Sequence, residues 1–178
     1  MLLDNFVLKE IKSYDIESIN RIGKLRYDVW VEEGALESSQ FPQGCWTDSL
    51  DESGRHWIIE TKDGDLAGAA RLNFLPELDE SSRDAALWKR SGQNVPLPTV
   101  DLGRLVVKSK YRRCGLAQML NDVRVEEAKA MGAKSIIVTA SAGNASLLTK
   151  IGFFDIGERI VFEDRPGVTF IAMQKNLC

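Results

Sequence analysis

Residues 100–131 constrain this chain more than any other stretch. An apolar strand over Val100–Lys108 runs through the basic turn Tyr111-Arg112-Arg113-Cys114-Gly115-Leu116-Ala117 into an amphipathic helix over Gly115–Met131. Leu116, Met119, Leu120 and Val123 share one helical face, and Gly132 supplies the stop. A strand that turns directly into a helix leaves several N–H groups unpaired at the positive end of the helix dipole, where they can cradle a pyrophosphate. Gly115 and small Ala117 let that backbone approach a ligand closely, and Arg112 and Arg113 add charge. Taken alone, the same four-residue pattern also suits a plain basic turn capped by glycine.

The rest of the chain supplies a sheet around this unit. Phe6–Ile11 reads as a first strand, and Ile16, Ile19, Ile22, Leu25 and Val29 recur at helical spacing behind a Ser13/Asp15 cap. Residues 34–54 are too polar for an element and are expected to form a long functional loop. Residues 56–61 and 66–75 read as a hairpin around Asp63-Gly64. A short helix over Ser82–Arg90 belongs to an insertion or lid. Ser135–Ala140 is a buried strand, Asn144–Ile151 a short helix, and 153–163 and 168–175 are closing strands joined through Asp164-Arg165-Pro166-Gly167. The predicted order is β-α-β-β-(α)-β-α-β-α-β-β, a mixed α/β (α+β) chain with a mostly antiparallel central sheet of about six or seven strands flanked by helices.

At 178 residues, 44% hydrophobic and 28% charged, the chain is expected to form a single domain over 1–178, with a core sufficient without staples. Its three cysteines, Cys45, Cys114 and Cys178, make no CxxC or Cys/His cluster, so no structural metal is expected, and the odd count suits a reducing compartment. A formal net charge of −3 gives no long-range attraction for nucleic acid or anionic membrane. Asp4 interrupts Leu2-Leu3 before a signal-peptide core forms, and no run reaches membrane-helix length, so a cytoplasmic location is expected.

The turn at Arg112, Gly115 and Ala117 resembles the Arg/Gln-x-x-Gly-x-Gly/Ala loop of the GNAT superfamily of CoA-dependent N-acyltransferases. Leu147-Leu-Thr-Lys-Ile-Gly-Phe153 resembles that family's short helix ending in Gly-Phe, and the element order fits over nearly the whole chain. The resemblance implies the GNAT fold, splayed between the strands ending near Lys108 and Ala140. It implies acetyl-CoA, or another acyl-CoA, as donor substrate, with no metal. The amides of Arg113, Cys114, Gly115, Leu116 and Ala117, with Arg112, would hold the pyrophosphate. Leu105, Val106, Val107 and Lys108 would pair with the pantetheine, and Asn144 would orient its arm.

Acyl transfer to an amine needs a group to take the ammonium proton, a polarised thioester carbonyl and a proton for the departing thiolate. Asp101, eleven positions before Arg112, stands where several family members place a carboxylate base; its alternative is a solvated aspartate at a strand end. The family's usual acid, a Tyr four residues before the Gly of Gly-Phe, falls on Leu148, so no general acid is assigned. His56, the sole histidine, is expected to be structural, and Cys114 a small loop residue.

A second resemblance covers about residues 25–107. Leu25-Arg26-x-x-x-Trp30, Trp46-x-Asp48-x-x-Asp51, Gly68-x-x-Arg71-Leu72 and Asp101-x-x-Arg104 follow in order, as in acyl-homoserine lactone synthases and related N-acyl amino acid synthases. Asp101 stands where that pattern has Glu, Gly103 where it often has Ser, and Trp30 where it has Phe. This likeness implies that Arg26, Trp30, Asp48, Asp51, Arg71 and Arg104 serve the acceptor, a small-molecule or amino-acid-like primary amine. Three readings stand: transfer of an acetyl or other acyl group from acyl-CoA to such an amine; a long-chain synthase drawing on acyl carrier protein; and a catalytically silent module that binds CoA thioesters. The reading allows a homodimer and includes neither nucleic acid nor membrane among the partners.

Overall fold

The computed structural model describes residues 2–80 and 82–177; Cys178 lies outside them. Among the described residues seven strands form one sheet in the order β1-β2-β3-β4-β5-β7-β6. They are β1 (Phe6–Ile11), β2 (Arg55–Thr61), β3 (Leu66–Leu75), β4 (Thr99–Val107), β5 (Ser135–Ala140), β6 (Phe154–Phe162) and β7 (Arg165–Asn176). All neighbours are antiparallel except β4 and β5. The helices are α1 (Ile16–Glu32), α2 (Leu50–Ser53), α3 (Arg83–Ser91), α4 (Leu116–Ala130) and α5 (Ala142–Lys150).

Alternation along the strands assigns the helices to two faces. Ile136 packs with Leu116 and Leu120 of α4 and Leu148 of α5, while neighbouring Ile137 packs with Ala85 and Trp88 of α3. On the same face as α3, Ile19, Ile22, Leu25 and Val29 of α1 cover Ile58, Ala69 and Val106. Asp15 starts α1 by accepting a bond from the Ser18 amide, and Ser82 starts α3 by accepting one from the Ala85 amide.

Two features of β4 shape the site. It pairs with β5 only over Thr99–Asp101 against Ser135–Ile137, and beyond those three pairs the strands diverge into a wedge. An extra β4 residue also sits opposite the Ala69–Arg71 stretch of β3, where Arg104 adopts φ 57°. The bulge inverts the alternation. Val100 and Leu102 face α4, yet Val106, an even number of residues further on, faces α1 and Val107 faces α4.

Two expectations are corrected. The stretch 34–54 is not all loop: a 3-10 turn forms at Ser38–Gln40 and α2 at Leu50–Ser53. The cause of α2 is local, because the Asp48 carboxylate accepts from the Leu50 amide while Asp51 reaches back to the Asp48 amide. The closing turn is shorter than 164–167, since Phe162 pairs with Arg165 and the strand already includes Pro166. Proline is tolerated there because β5 pairs β7 only from Ile171 to Asn176, so the proline lies on an edge-like stretch.

Candidate active site

Three cavities follow one another across the wedge. The largest, about 500 Å³, opens at the start of α4 and is walled by Trp30, Leu105, Val107, Arg113, Gly115 and Asn144, among others. A second of about 60 Å³ shares Trp30, Leu105, Ser141 and Asn144 with it. A third of about 80 Å³ shares Leu102, Arg104, Thr139 and Arg165 with the second and contains Asp84 and Asp101.

The turn before α4 is built as an amide cradle. Arg113 and Gly115 have φ of 60° and 82°, and Gly115 begins the helix without a side-chain cap. Among the described residues no backbone carbonyl outside the helix pairs with the amides of Arg113–Ala117, so they remain available. Arg112 is occupied: its Nε donates to the Val107 carbonyl at 3.2 Å and its guanidinium pairs with Glu33. That tie fixes the turn against β4 and the end of α1. Lys108 and Cys114 do not line the cavity: the Lys108 ammonium binds Asp65 at 2.6 Å and its amide donates to the Ala67 carbonyl, while the Cys114 thiol meets the Arg112 carbonyl at 3.5 Å.

Five of the six predicted acceptor residues converge into one ion cluster at the bulge, while the sixth, Trp30, lines the first two cavities and packs against Trp46. Arg26 Nη1 donates to both Asp51 oxygens at 3.0 and 2.9 Å, and Arg71 Nη1 donates to Asp51 at 2.7 Å and Asp48 at 2.5 Å. Arg104 grips the other Asp48 oxygen at 2.5 and 3.1 Å while lying 4.2 Å over the Trp46 ring. Arg26 and Asp51 are enclosed, at 0% and 3% exposure, and spend their charges on each other. Burial alone would raise both carboxyls, but the Arg104 and Arg71 guanidinium groups hold Asp48 low, and Arg26 and Arg71 do the same for Asp51. Burial pulls Arg26 down to about 10. His56 is buried below the cluster, its Nε2 2.9 Å from the Asp51 carbonyl oxygen, and burial lowers its pKa.

Asp101 is buried rather than solvated. Burial first, and then the neighbouring Asp84 carboxylate, push its carboxyl well above the usual range, and burial raises Asp84 as well. Asp84 is held from β5, where the Thr139 amide donates to one oxygen at 2.8 Å and the Thr139 hydroxyl to the other at 2.9 Å. Among the described residues Asp101 Oδ1 has no hydrogen-bond partner. Two buried carboxyls therefore face the third cavity, each making ionisation of the other less favourable.

Arg124 escaped the sequence reading. Completely buried in α4, it donates to the Leu120, Arg71 and Gly103 carbonyls at 3.0, 3.0 and 3.2 Å and to Asn121 Oδ1 at 2.7 Å. Two of these acceptors, the Arg71 and Gly103 carbonyls, belong to the strand pair at the edge of the bulge, which Arg124 ties to α4. Burial pulls the guanidinium down to about 9. Asn121 in turn donates to Asn144 Oδ1 at 2.8 Å, which fixes the amide orientation of a residue shared by the first two cavities. The signal was spacing, since Arg124 lies one turn beyond Leu120 and one before Ala128 on the buried face. Leu148 is also fully buried in the core, and Leu147 faces the cavity instead. Among the described residues no helix is long and apolar enough to cross a membrane, and no His/Cys/Asp/Glu group is placed to hold a metal ion.

A family model described as an acetyltransferase (GNAT) domain matches residues 25–122, and a second with the same description matches 86–177. The chain belongs to the GNAT acyltransferase family. Solved structures of the same fold include the CoA-dependent acyl-homoserine lactone synthase BjaI, at 18% identity and TM-score 0.72 over 97% of this chain and 84% of that one. An acyl-CoA N-acyltransferase from Pseudomonas aeruginosa aligns at 20% identity and TM-score 0.66, covering 95% and 99% of the two chains. An IAA acetyltransferase from Bacillus cereus aligns at 15% identity and TM-score 0.58, over 97% and 99%. Among curated proteins, no relative matches by sequence.

Proposed function

We propose that this chain is an N-acyltransferase that moves an acetyl or other acyl group from acyl-CoA to the primary amine of a small, amino-acid-like acceptor by direct attack. One observation carries the reading: an unpaired amide cradle, the free edge of β4 and a buried carboxyl pair lie along one connected series of cavities. The cradle fits a pyrophosphate, the Leu105–Val107 edge fits an amide-bearing arm, and the carboxyl pair fits an amine. Arg113, Gly115, Leu116 and Ala117 hold the diphosphate through their amides. Strand amides past the bulge polarise the thioester carbonyl. The ionised member of the Asp84–Asp101 pair, with Asp101 on the acceptor side, takes the ammonium proton. The freed amine attacks the carbonyl carbon, the C–S bond breaks, the nitrogen releases its second proton to solvent, and the thiolate takes its proton from solvent. In this reading the chain acts as one domain in the cytoplasm, and Arg26 and Asp51 serve the acceptor pocket by positioning Arg71 and Asp48.

The enclosed Arg26–Asp51–Arg71–Asp48–Arg104 cluster also favours a second reading, a long-chain synthase fed by acyl carrier protein. Calorimetric titration with acetyl-CoA and octanoyl-CoA, followed by amine-dependent thiol release, tests both. Tight acetyl-CoA binding with thiol release supports the first. Preference for octanoyl-CoA supports the second. Binding without thiol release in any amine screen leaves a silent thioester-binding module.

A further inference from the structure

Arg165 stands at the start of β7, in a stretch that reads from sequence only as a turn. It is 8% exposed and held among four rings, its guanidinium carbon 4.4 Å from the Phe170 centroid, 4.8 Å from Phe162, 4.9 Å from Trp46 and 5.3 Å from Trp30. Aromatic faces stabilise a guanidinium without consuming its in-plane N–H donors. Its nearest carboxylate, Asp164, is already spent: Arg83 takes both oxygens at 3.2 and 3.0 Å, leaving Arg165 a single Nε contact at 3.4 Å. No hydrogen bond from its two Nη groups is present among the described residues. Arg104, another cation, lines both smaller cavities with it and shares its Asp48 partner with Arg71, and the buried Asp84 carboxyl, whose charged form Arg165 favours, lies in the third. A buried surplus of positive charge with free planar donors is costly unless an anion completes it.

We propose that Arg165, backed by Arg104, is the carboxylate anchor of the acceptor, and that the acceptor is an α-amino acid with a free carboxylate. The inference rests on the acyltransferase reading and adds the feature that selects the substrate. Its geometry is that of a zwitterion. Arg165 and Arg104 line both smaller cavities, the one that holds Leu105, where the thioester carbonyl belongs, and the one that holds the Asp84–Asp101 pair, which takes the amine's proton. A carboxylate one carbon from the amine reaches the guanidinium fork while the nitrogen faces the carboxyl pair. The small volumes suit that compact head better than a phosphate ester, and the aromatic rings exclude the water that would weaken the pairing.

The test uses thiol release at saturating acetyl-CoA or octanoyl-CoA, whichever binds, with the twenty L-amino acids and the primary amide of each. For the preferred side chain, the free acid is expected to exceed its amide by about tenfold or more in kcat/KM, the worth of one charge-assisted pair. Arg165→Gln should reduce that ratio to within about twofold, chiefly through KM, while thioester affinity stays within about threefold of wild type. Arg165→Lys keeps the charge, loses the fork and should fall between; it also stands in if the glutamine variant does not fold. Amides used as well as acids by the wild type overturn the proposal, as does a preference that survives both substitutions. If no amino acid turns over, quenching of Trp30 and Trp46 fluorescence by the same acids and amides reads the anchor directly, and equal or absent responses overturn it. Failure of the wild type to bind either thioester is a different result and removes the acyl-CoA-dependent reading itself, leaving a carrier-protein donor or a degenerate site.

Discussion

Replacing Asp51 by Asn keeps the side-chain volume and removes one buried charge. The consequence follows from what Arg26 has left. Its guanidinium is fully enclosed, its Nε and Nη2 have no partner among the described residues, and without the carboxylate it keeps only neutral acceptors, the amide oxygen of the new side chain and the Trp46 carbonyl at 3.4 Å. Arg71 keeps Asp48, so the loss falls mainly on Arg26. Charges about 4 Å apart at an effective dielectric near 20 attract by about 4 kcal/mol, and breaking one side of a buried pair typically costs about 3–5 kcal/mol. For a domain of this size each kcal/mol moves the melting temperature by about 2–4 °C, so Asp51→Asn should melt roughly 6–20 °C lower. Thermal melts and urea titration at pH 7 read this. Asp28→Asn, removing the exposed helical pair with Lys24, should cost no more than about 0.5 kcal/mol. The pH dependence has a definite sign. Asp51 has a depressed folded-state pKa, so its contribution is complete above the ordinary aspartate value of 3.8 and is lost as pH falls through the folded value. The variant should therefore lose part of the wild type's acid limb. A cost under about 1 kcal/mol, or an unchanged acid limb, would refute the assignment of Arg26–Asp51 as the strut beneath the site.

Asp101→Asn should cut kcat by about a hundredfold or more without altering thioester affinity, and full activity would remove Asp101 from the mechanism. Because burial and Asp84 already raise its pKa, losing the ionisable group should leave the melting temperature at pH 7 no lower than wild type, as differential scanning calorimetry can check. Gly115→Ala places a Cβ at φ 82°, costing about 1–2 kcal/mol, and should weaken calorimetrically measured CoA-thioester binding about tenfold; unchanged affinity would sink the cradle assignment. Leu148→Tyr restores the family's usual residue at a fully buried position, so it should lose about 1–3 kcal/mol in urea titration and gain no turnover. A faster variant would show that the position reaches the thioester after all.

Local patterns made most of the fold readable. β5 has the predicted limits Ser135–Ala140, and the apolar run from Ile16 to Val29 places α1 within a few residues of its end. Such elements are fixed by period, caps and glycines acting over a few positions. The cluster residues were visible only as an ordered set resembling related synthases, and the structure adds that they close on one another. Arg165 and Arg124 were missed for opposite reasons. Arg165 sits among residues typical of turns, and only the return of β7 beside α1 brings its rings together. Arg124 carried a usable signal in its helical spacing, but a charged residue on a core-facing stripe reads as an error until the carbonyls it serves are seen. The β4 bulge, with a non-glycine residue at φ 57°, leaves no local trace in the sequence.

The short β4–β5 pairing has a mechanical meaning. The sheet consists of two leaves, β1–β4 and β5–β7, each stitched by antiparallel pairs and joined across only three residue pairs. Sheets ordinarily expose their unpaired edges at the rim, where a foreign strand can add; here one such edge lies inside, roofed by helices, and admits only something as slender as a single extended chain. A ligand laid along it ties the leaves together beyond their seam. Amide exchange across Leu102–Val107 and Val138–Ala140 should then slow together on thioester binding, and the protein should become stiffer along the one line where its own backbone leaves the fabric open.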